Sequence, residues 1–172
     1  MPTPKSKKRL KLVEKTAQQL IKVADKEFSR YVRLRDSVYD PYGEPSGWYG
    51  KCISCNKYGL IAWVEDGKVR FTNGWDAGHF ISRGNKYLRY HEENVNLQCA
   101  FNCNKMRSGN IEKQKPALDD KYGTGTYRKL EDLAQEFKTS TLKKRDLLEL
   151  INDCRKQVEL YTGIKHKVID LP

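Results

Sequence analysis

Two closely spaced cysteine pairs, Cys52-x2-Cys55 and Cys99-x3-Cys103, constrain the fold of this chain more than any other feature. Each short spacing predicts a tight turn that presents two thiolates to one ion. Four thiolates in a tetrahedron satisfy zinc and leave no coordination position open, so we expect one structural zinc ion that ties the two turns together. Free buried cysteines are the alternative, and the three-residue spacing of the second pair departs slightly from the commoner two.

The cysteines also bear on the expected compartment. No stretch of the chain approaches the roughly 18–20 apolar residues of a membrane span. The first residues, Met1 to Lys5, lack the apolar core of a signal peptide. We therefore expect a cytoplasmic protein without a membrane partner, in which thiols stay reduced and bind metal rather than form disulfides. Cys154 lies apart from the pairs and is expected to be a core residue.

The charge of the chain indicates an anionic partner, because its 172 residues carry a formal net charge of +11. Lys and Arg bind nucleic acid by displacing counterions from phosphates, so DNA or another nucleic acid is the expected partner. The first 35 residues hold 11 Lys and Arg against 3 Asp and Glu, and the run from Lys5 to Arg9 is typical of a nucleic-acid arm. A membrane-binding helix would show a cleaner apolar face, and a merely soluble basic protein stays an alternative.

Three segments of different composition divide the chain. We expect residues 1–47 to form a basic N-terminal helical arm, because apolar residues recur every three or four positions from Leu10 to about Arg35. Residues 48–125 are rich in Cys, Gly, Asn and aromatic residues and should form a zinc-stapled core. Residues 126–172 are expected to be helical, with an amphipathic stripe that packs on the first helix or on a partner subunit. The members of the stripe are Leu147, Ile151, Cys154, Val158 and Tyr161.

Short patterns predict the elements of the core. Asp66-Gly67 between two β-rich runs predicts a hairpin of residues 60–64 and 68–72. A short strand from Trp75 to Ile81 and a helix from Asn104 to about Tyr122 should follow. The sequence therefore predicts an α+β fold, with a small zinc-bound core flanked by long N-terminal and C-terminal helices.

The segment between the cysteine pairs carries the candidate catalytic residues. From Trp75 to Gly84 it has the sequence WDAGHFISRG, Asn94 precedes the second pair, and Asn104 directly follows Cys103. A strand-borne His, a middle Asn and a further Asn after a cysteine knuckle resemble the pattern of the HNH, or ββα-metal, nucleases. Two cysteine pairs with an Asn straight after the last Cys are especially similar to phage endonuclease VII, which cuts branched DNA.

A narrower resemblance rests on several motifs in order. The segments DAGHFISRG (76–84), LRYHEENV (88–95), CN (103–104) and SGN (108–110) are similar to the NinG family, the phage lambda Rap-type recombination endonucleases. The resemblance covers about residues 50–125. It implies a ββα-metal (HNH-like) core and structure-specific cleavage of branched DNA, such as Holliday junctions and D-loops, during phage recombination in the host-cell cytoplasm.

Carried over by position, the resemblance makes His79 the general base on water, Asn94 the brace of the intervening loop and Asn104 a ligand of Mg²⁺ or Mn²⁺. This chemistry agrees with the residue types, because an imidazole that titrates near neutrality can take a proton from water. A divalent ion held by an amide and a carboxylate can stabilise the leaving oxygen. Basic residues of the same region could grip flanking phosphates; they are Arg83, Lys86, Arg89, Lys105 and Arg107.

Gly78 departs from the superfamily pattern, because most HNH sites place an Asp directly before the His. Asp76 lies two residues earlier on the same face of the strand, about 6–7 Å further along it. It could bind the ion if the strand is bulged at Ala77 and Gly78. Otherwise His79 itself, a water or another side chain completes the ligand set.

Each assignment has a structural alternative. His79 could be a packed core residue, Asn94 a cap of the second cysteine turn, and Asn104 a helix N-cap without metal. The basic cluster could be a solvated face. His91 is expected to be a surface or bracing residue rather than a second base, and the sequence gives Asn110 no physical role.

A non-catalytic zinc-knuckle DNA-binding module is the competing function, and an HNH enzyme acting on plain duplex or on RNA is a third. For a junction endonuclease, cutting both arms is easiest with two active sites in fixed relation, which favours a symmetric homodimer. The first helix and the C-terminal stripe could supply its interface.

Overall fold

The computed structural model describes residues 11–166 and residue 169, so the predicted nucleic-acid run from Lys5 to Arg9 lies outside the described residues. The described chain forms the α-helices α1 (Ala17–Arg35), α2 (Ile111–Tyr122), α3 (Thr126–Glu136) and α4 (Lys144–Thr162). Its strands are β1 (Ser37–Asp40), β2 (Gly47–Lys51), β3 (Tyr58–Glu65), β4 (Lys68–Phe71), β5 (Trp75–His79) and β6 (Val95–Cys99). The predicted α+β class is confirmed. None of the described helices has the length and apolar character needed to cross a membrane.

A capping box fixes the start of α1. The Thr16 hydroxyl accepts a hydrogen bond from the Gln19 backbone N–H at 3.3 Å, and the Gln19 side chain accepts one from the Thr16 N–H at 3.1 Å. A short 3-10 turn, Leu12–Glu14, precedes this cap. The predicted long helix is therefore confirmed, although it begins at Ala17 rather than at Leu10.

The apolar faces of α1 and α4 pack against each other. The buried members of the C-terminal stripe are Leu147, Ile151, Cys154 and Val158, each at most 3% exposed. They meet buried residues of α1, among them Leu20, Ala24 and Phe28. Of the two partners expected for the stripe, the structure shows the first helix, and the prediction that Cys154 is a core residue is confirmed. Because these faces cover each other within one chain, α1 is a core element rather than a projecting arm, and the two faces are not free to form a dimer interface.

The first sheet is antiparallel, with strand order β1-β2-β3-β4. Asp66 and Gly67 connect β3 to β4 with φ angles of 51° and 65°, which is the backbone that a two-residue hairpin turn of the primed type requires. The predicted hairpin is confirmed. Trp48 and Ala62 of this sheet are buried in one cluster with Phe28 and Val32 of α1, so the helix closes one face of the sheet.

The second sheet consists of β5 and β6 alone, paired antiparallel with His79 opposite Val95 and Asp76 opposite Gln98. Every residue of β6 is buried. β5 ends at His79 rather than at the predicted Ile81, because Asn94 takes over the backbone bonds beyond it: its carbonyl accepts from the Phe80 N–H at 2.9 Å, and its side chain from the Ile81 N–H at 2.7 Å.

The chain after β6 does not form the single predicted helix from Asn104 to Tyr122. A six-residue π-helical turn, Ala100–Lys105, comes first and carries Cys103 and Asn104; we call it the π-turn. The helix is then interrupted by three consecutive residues with positive φ, namely Ser108 (46°), Gly109 (90°) and Asn110 (51°). The Gly109 N–H closes the turn by donating to the Cys103 carbonyl at 2.9 Å. The prediction of one continuous helix is therefore wrong.

A pair of truncations tests the helix packing. Ile151→Ala removes a side chain with no exposed surface at the α1–α4 contact and should lower the free energy of unfolding by about 2–5 kcal/mol, through lost burial and a cavity. Leu160→Ala on the same helix removes a side chain that is 77% exposed, and should change stability by less than about 0.5 kcal/mol. Urea unfolding of both variants measures the difference, and equal losses would contradict this packing.

Candidate functional site

The four paired cysteines form one cluster. Their sulfur atoms all lie within 4.8 Å of one another, and the Cys55 and Cys99 sulfurs are 3.8 Å apart. A tetrahedral ion with metal–sulfur bonds of about 2.3 Å has sulfur–sulfur edges of about 3.8 Å, so the spacing suits such an ion. The prediction that the two pairs come together as a group that could hold a metal ion is confirmed.

Backbone hydrogen bonds shape the first cysteine turn and attach it to the second sheet. The Cys52 N–H donates to the Lys57 carbonyl at 2.8 Å, and the Asn56 N–H donates back to the Cys52 carbonyl at 2.9 Å. The Ile53 N–H then donates to the Leu97 carbonyl of β6 at 3.0 Å. The two cysteine turns are thus held together by β6 as well as by their thiols.

Asn110 has a role that the sequence did not reveal. Its left-handed backbone turns the side chain back toward the cysteine cluster, where the amide Nδ2 donates to the Cys103 sulfur at 3.4 Å. Burial raises the pKa of Cys103, and also that of Cys52, which disfavours the thiolate form of these two residues unless a cation binds them. An amide that donates to sulfur favours the thiolate form.

A cleft of about 320 Å³ lies beside the cluster, between the second sheet and α1. Asp76 and His79 of β5 line it together with Asn104 of the π-turn. The opposite wall includes Asp25 and Ser29 of α1. Three residues that were singled out for their chemistry therefore open onto one space.

Asp76 and Asn104 contact each other directly. The Asn104 Nδ2 donates to the Asp76 Oδ2 at 2.9 Å, across 28 positions of the chain. The other carboxylate oxygen and the amide oxygen receive no hydrogen bond from the described residues. A carboxylate oxygen and an amide oxygen are ligands of the kind that a hard divalent cation prefers. The amide donation also fixes which atom of Asn104 is turned toward a cation.

A bulge in β5 was the condition under which Asp76 was expected to bind the ion, but β5 pairs with β6 residue by residue from Trp75 to His79. Asp76 reaches Asn104 without it, since the π-turn follows β6 directly and lies against β5. Gly78 has a packing reason instead: a Cβ there would collide with the Gln98 amide oxygen and lie 2.8 Å from the Gln98 Cβ. An Asp directly before His79 would not fit.

His79 is held through one ring nitrogen. Its Nε2 lies 3.0 Å from the Arg89 carbonyl oxygen, which can only accept, so Nε2 carries the proton and donates. The neutral ring then has its lone pair on Nδ1. Burial lowers the pKa of His79 below its ordinary value, so the ring is neutral at pH 7 and able to accept a proton.

Asn94 ties together the segment that follows β5. Its side chain is fully buried; the amide nitrogen donates to the carbonyls of Ile81 (3.0 Å) and Leu88 (2.9 Å), while its oxygen accepts from the Ile81 N–H. These bonds join both ends of the loop between β5 and β6. The geometry is what a bracing residue requires. His91 makes a backbone turn bond to Leu88 and does not line the cleft.

The five basic residues have different surroundings. Arg83 lines the cleft and is exposed, Lys105 and Arg107 are exposed on and just after the π-turn, and Lys86 is half-buried. Arg89 differs from the expectation. It is only 9% exposed, and its guanidinium is bound to the Asp25 carboxylate and the Arg83 carbonyl. Its charge is used inside the protein rather than offered to phosphates.

Sequence reasoning missed the contribution of α1 to the cleft. Asp25, Phe28 and Ser29 all line it, although the first helix was expected to belong to a basic N-terminal arm outside the core. A weak signal existed, since Asp25 is one of only 3 acidic residues among the first 35. Nothing in the spacing could indicate which part of the core it would face.

The fold and the cleft define a small α+β protein with a four-cysteine cluster beside a His, Asp and Asn constellation. The family model described as Bacteriophage Lambda NinG protein matches residues 3–161. The chain belongs to the NinG family, as the sequence motifs predicted. No curated protein and no solved structure matches the chain significantly.

Two glycine substitutions test the packing of β5 against β6. Gly78→Ala places a methyl group against the Gln98 side chain and should lower the free energy of unfolding by about 1–3 kcal/mol through overpacking. Gly74→Ala, just before the same strand, meets nothing within 4 Å and should be close to neutral. Urea unfolding compares them, and a neutral Gly78→Ala would contradict the packing reason for this glycine.

Proposed function

We propose that the chain is a Mg²⁺-dependent endonuclease of the HNH (ββα-metal) type that cuts branched DNA, such as Holliday junctions and D-loops, during phage recombination. The observation that carries the proposal is the meeting of Asp76, His79 and Asn104 in one cleft. Membership of the phage lambda NinG family and the net charge of +11 support a DNA substrate.

His79 is the general base of the proposed reaction. Its Nδ1 takes a proton from the attacking water, while the Nε2–H bond to the Arg89 carbonyl holds the ring in the correct tautomer and orientation. The lowered pKa of His79 keeps the ring in its proton-accepting form at neutral pH. Asn94 keeps the loop that carries Arg89 in place against β5.

Asp76 and Asn104 would hold the catalytic Mg²⁺ or Mn²⁺ through their free oxygens. When bound, the ion supplies positive charge for the phosphate and the leaving oxygen. Arg83 lines the cleft, and Lys105 and Arg107 are exposed on and just after the π-turn that carries Asn104. These three residues would bind flanking phosphates, which positions the strand for cutting.

The four cysteines would hold a structural zinc ion, which Asn110 assists by donating to Cys103. Cys103 directly precedes Asn104, so the zinc-bound turn would hold Asn104 beside Asp76. Zinc is then required for cutting without taking part in it.

Resolution of a four-way junction needs two cuts in fixed relation, which favours a homodimer. The apolar faces of α1 and α4 are buried against each other, so the interface of such a dimer involves other surfaces. A cytoplasmic location in the infected host cell is part of the same proposal.

Removal of the base tests the enzyme directly. His79→Ala should reduce Mg²⁺-dependent cutting of a four-way junction by at least about 100-fold, because proton transfer is lost. Zinc content and junction affinity should stay near wild type. His166→Ala, a histidine that does not line the cleft, serves as the matched control and should cut normally.

The comparison uses junction, plain duplex, single-stranded DNA and RNA, measured by gel electrophoresis. A wild-type protein that binds junctions but cuts nothing in Mg²⁺ or Mn²⁺ would be a non-catalytic zinc-knuckle DNA-binding module. Equal cutting of all substrates would contradict structure specificity.

Zinc dependence has its own test. Cys52→Ser should lose the bound zinc and, with it, both the melting transition of the core and junction cutting. Cys154→Ser changes a cysteine outside the cluster and should keep one zinc per chain. Metal analysis and thermal unfolding measure this; a Cys52→Ser protein that lost zinc but kept its melting behaviour would disprove a structural role.

A further inference from the structure

We infer that Asp25 of α1 is a positioning residue for the general base. It holds Arg89 in place, and the Arg89 carbonyl oxygen accepts the hydrogen bond from the His79 ring. The inference rests on the proposed function, since it assigns a role within the same cleft. It also gives α1 a function besides packing. Failure of the proposed function and failure of the positioning role give different results in the experiment.

Both carboxylate oxygens of Asp25 accept hydrogen bonds from the Arg89 side chain. The Arg89 Nε donates to Oδ1 at 2.9 Å and its Nη2 donates to Oδ2 at 2.6 Å, a bidentate ion pair between residues 64 positions apart. The Tyr90 hydroxyl adds a bond to Oδ1 at 2.9 Å. Arg89 is only 9% exposed and the Asp25 side chain is 26% exposed, so solvent reaches this ion pair only from the Asp25 side.

Arg89 connects this ion pair to His79. Its third guanidinium nitrogen, Nη1, donates to the Arg83 carbonyl at 2.8 Å, and its own carbonyl oxygen lies 3.0 Å from the His79 Nε2. One residue therefore links α1, the start of the loop after β5 and the imidazole. If the side chain of Arg89 is released, its carbonyl is free to turn and the ring loses its fixed partner.

The two carboxylates of the cleft have different surroundings, which separates their roles. Asp76 accepts a bond from Asn104 on one oxygen and keeps the other free for a cation. Both oxygens of Asp25 are taken by Arg89, with Tyr90 sharing one of them. Asp25 is therefore not arranged as a metal ligand. Burial acts to raise the pKa of Asp25, but the bonds from Arg89 and Tyr90 outweigh it and the pKa is lowered, so the group is ionised at neutral pH.

Because charged groups surround His79, the role of Asp25 should affect how the cutting rate depends on pH. Arg83 and Arg89 disfavour a protonated ring, Asp25 favours it, and Asp76 lines the same cleft. The neutral ring is the active form, so cutting is full above the pKa of His79 and falls as the pH drops through it. Removing the Asp25 charge lowers that pKa further, and the acid limb should then move to lower pH while the plateau rate falls.

Asp25→Asn is the test variant, and Glu27→Gln is its matched control. Glu27 lies on the same helix and also forms an ion pair, with Arg30 and Arg155 at 3.4 Å, but it does not line the cleft. Both substitutions remove one negative charge from α1, at a half-buried position for Asp25 and at a buried one for Glu27. A loss that arises only from helix stability should be the same in the two proteins.

We expect Asp25→Asn to lower kcat for junction cutting about 10–100-fold, the range found when residues that orient a ligand are removed. KM and the Mg²⁺ midpoint should stay near wild type, and the acid limb should move to lower pH. Glu27→Gln should keep the wild-type kcat and the wild-type acid limb of the pH profile. A wild-type kcat in Asp25→Asn would overturn the inference. A second result would also overturn it: a Mg²⁺ midpoint shifted about tenfold, with kcat restored at saturating Mg²⁺, is the behaviour of a metal ligand.

A second readout does not depend on cutting. Proton–nitrogen NMR of the histidine rings in Mg²⁺-free wild type should show His79 as the Nε2–H tautomer, and Asp25→Asn should show a mixture of tautomers. If wild type cuts no DNA but this change occurs, the proposed function fails and the positioning role stands. If the His79 signals are unchanged, the positioning role fails whether or not the protein cuts.

Arg89→Lys provides a second variant in case Asp25→Asn does not fold. Lysine keeps the positive charge but cannot make the bidentate pair with Asp25 and the bond to the Arg83 carbonyl together. It should reproduce the loss of kcat and the mixture of tautomers. A folded Arg89→Lys protein with wild-type kcat and a single tautomer would overturn the inference.

Discussion

The junction between the two cysteine turns and β6 is the constraint on which the rest of the site depends. Cys52 and Cys55 close one turn, Cys99 ends β6, and Cys103 lies in the π-turn, so the four sulfurs bring three chain segments to one point. Asn104 follows directly, and its bond to Asp76 connects the cluster to β5. Any movement of the π-turn would therefore separate the two oxygen ligands of the proposed metal site.

Buried Asn and Gln side chains connect the cysteine cluster to the core through hydrogen bonds. Asn94, Asn96 and Gln98 are all without exposed surface, and each donates to a specific carbonyl or hydroxyl. Gln98 reaches Ser54 beside the first cysteine turn and Gly109 beside the second. A buried amide N–H without an acceptor is costly, so these donated bonds favour the observed arrangement of the segment. The same packing leaves no room for a side chain at Gly78.

Much of the fold could be predicted from the sequence because the patterns act over short distances. The Asp66-Gly67 turn, the period of α1 and the apolar stripe of α4 were all predicted correctly, as was the cysteine cluster. The continuous helix after Asn104 was not, because the three positive-φ residues that break it are set by bonds to Cys103 and Gln98 rather than by helix propensity. Asp76 reaches Asn104 without a bulge in β5 for a related reason, because the π-turn packs against β5.

The sequence by itself determined which chemical groups are present and how the nearest ones are spaced: two cysteine pairs, a strand-borne His79, and Asn104 beside Cys103. Only the tertiary structure decided how they are surrounded. It placed Asp25 of the first helix opposite His79, turned Arg89 from a surface charge into a buried partner of that carboxylate, and gave Asn110 a bond to sulfur. The physical reason is distance along the chain, because Asp25 and Arg89 meet across 64 positions and no local pattern records which residues will pack together.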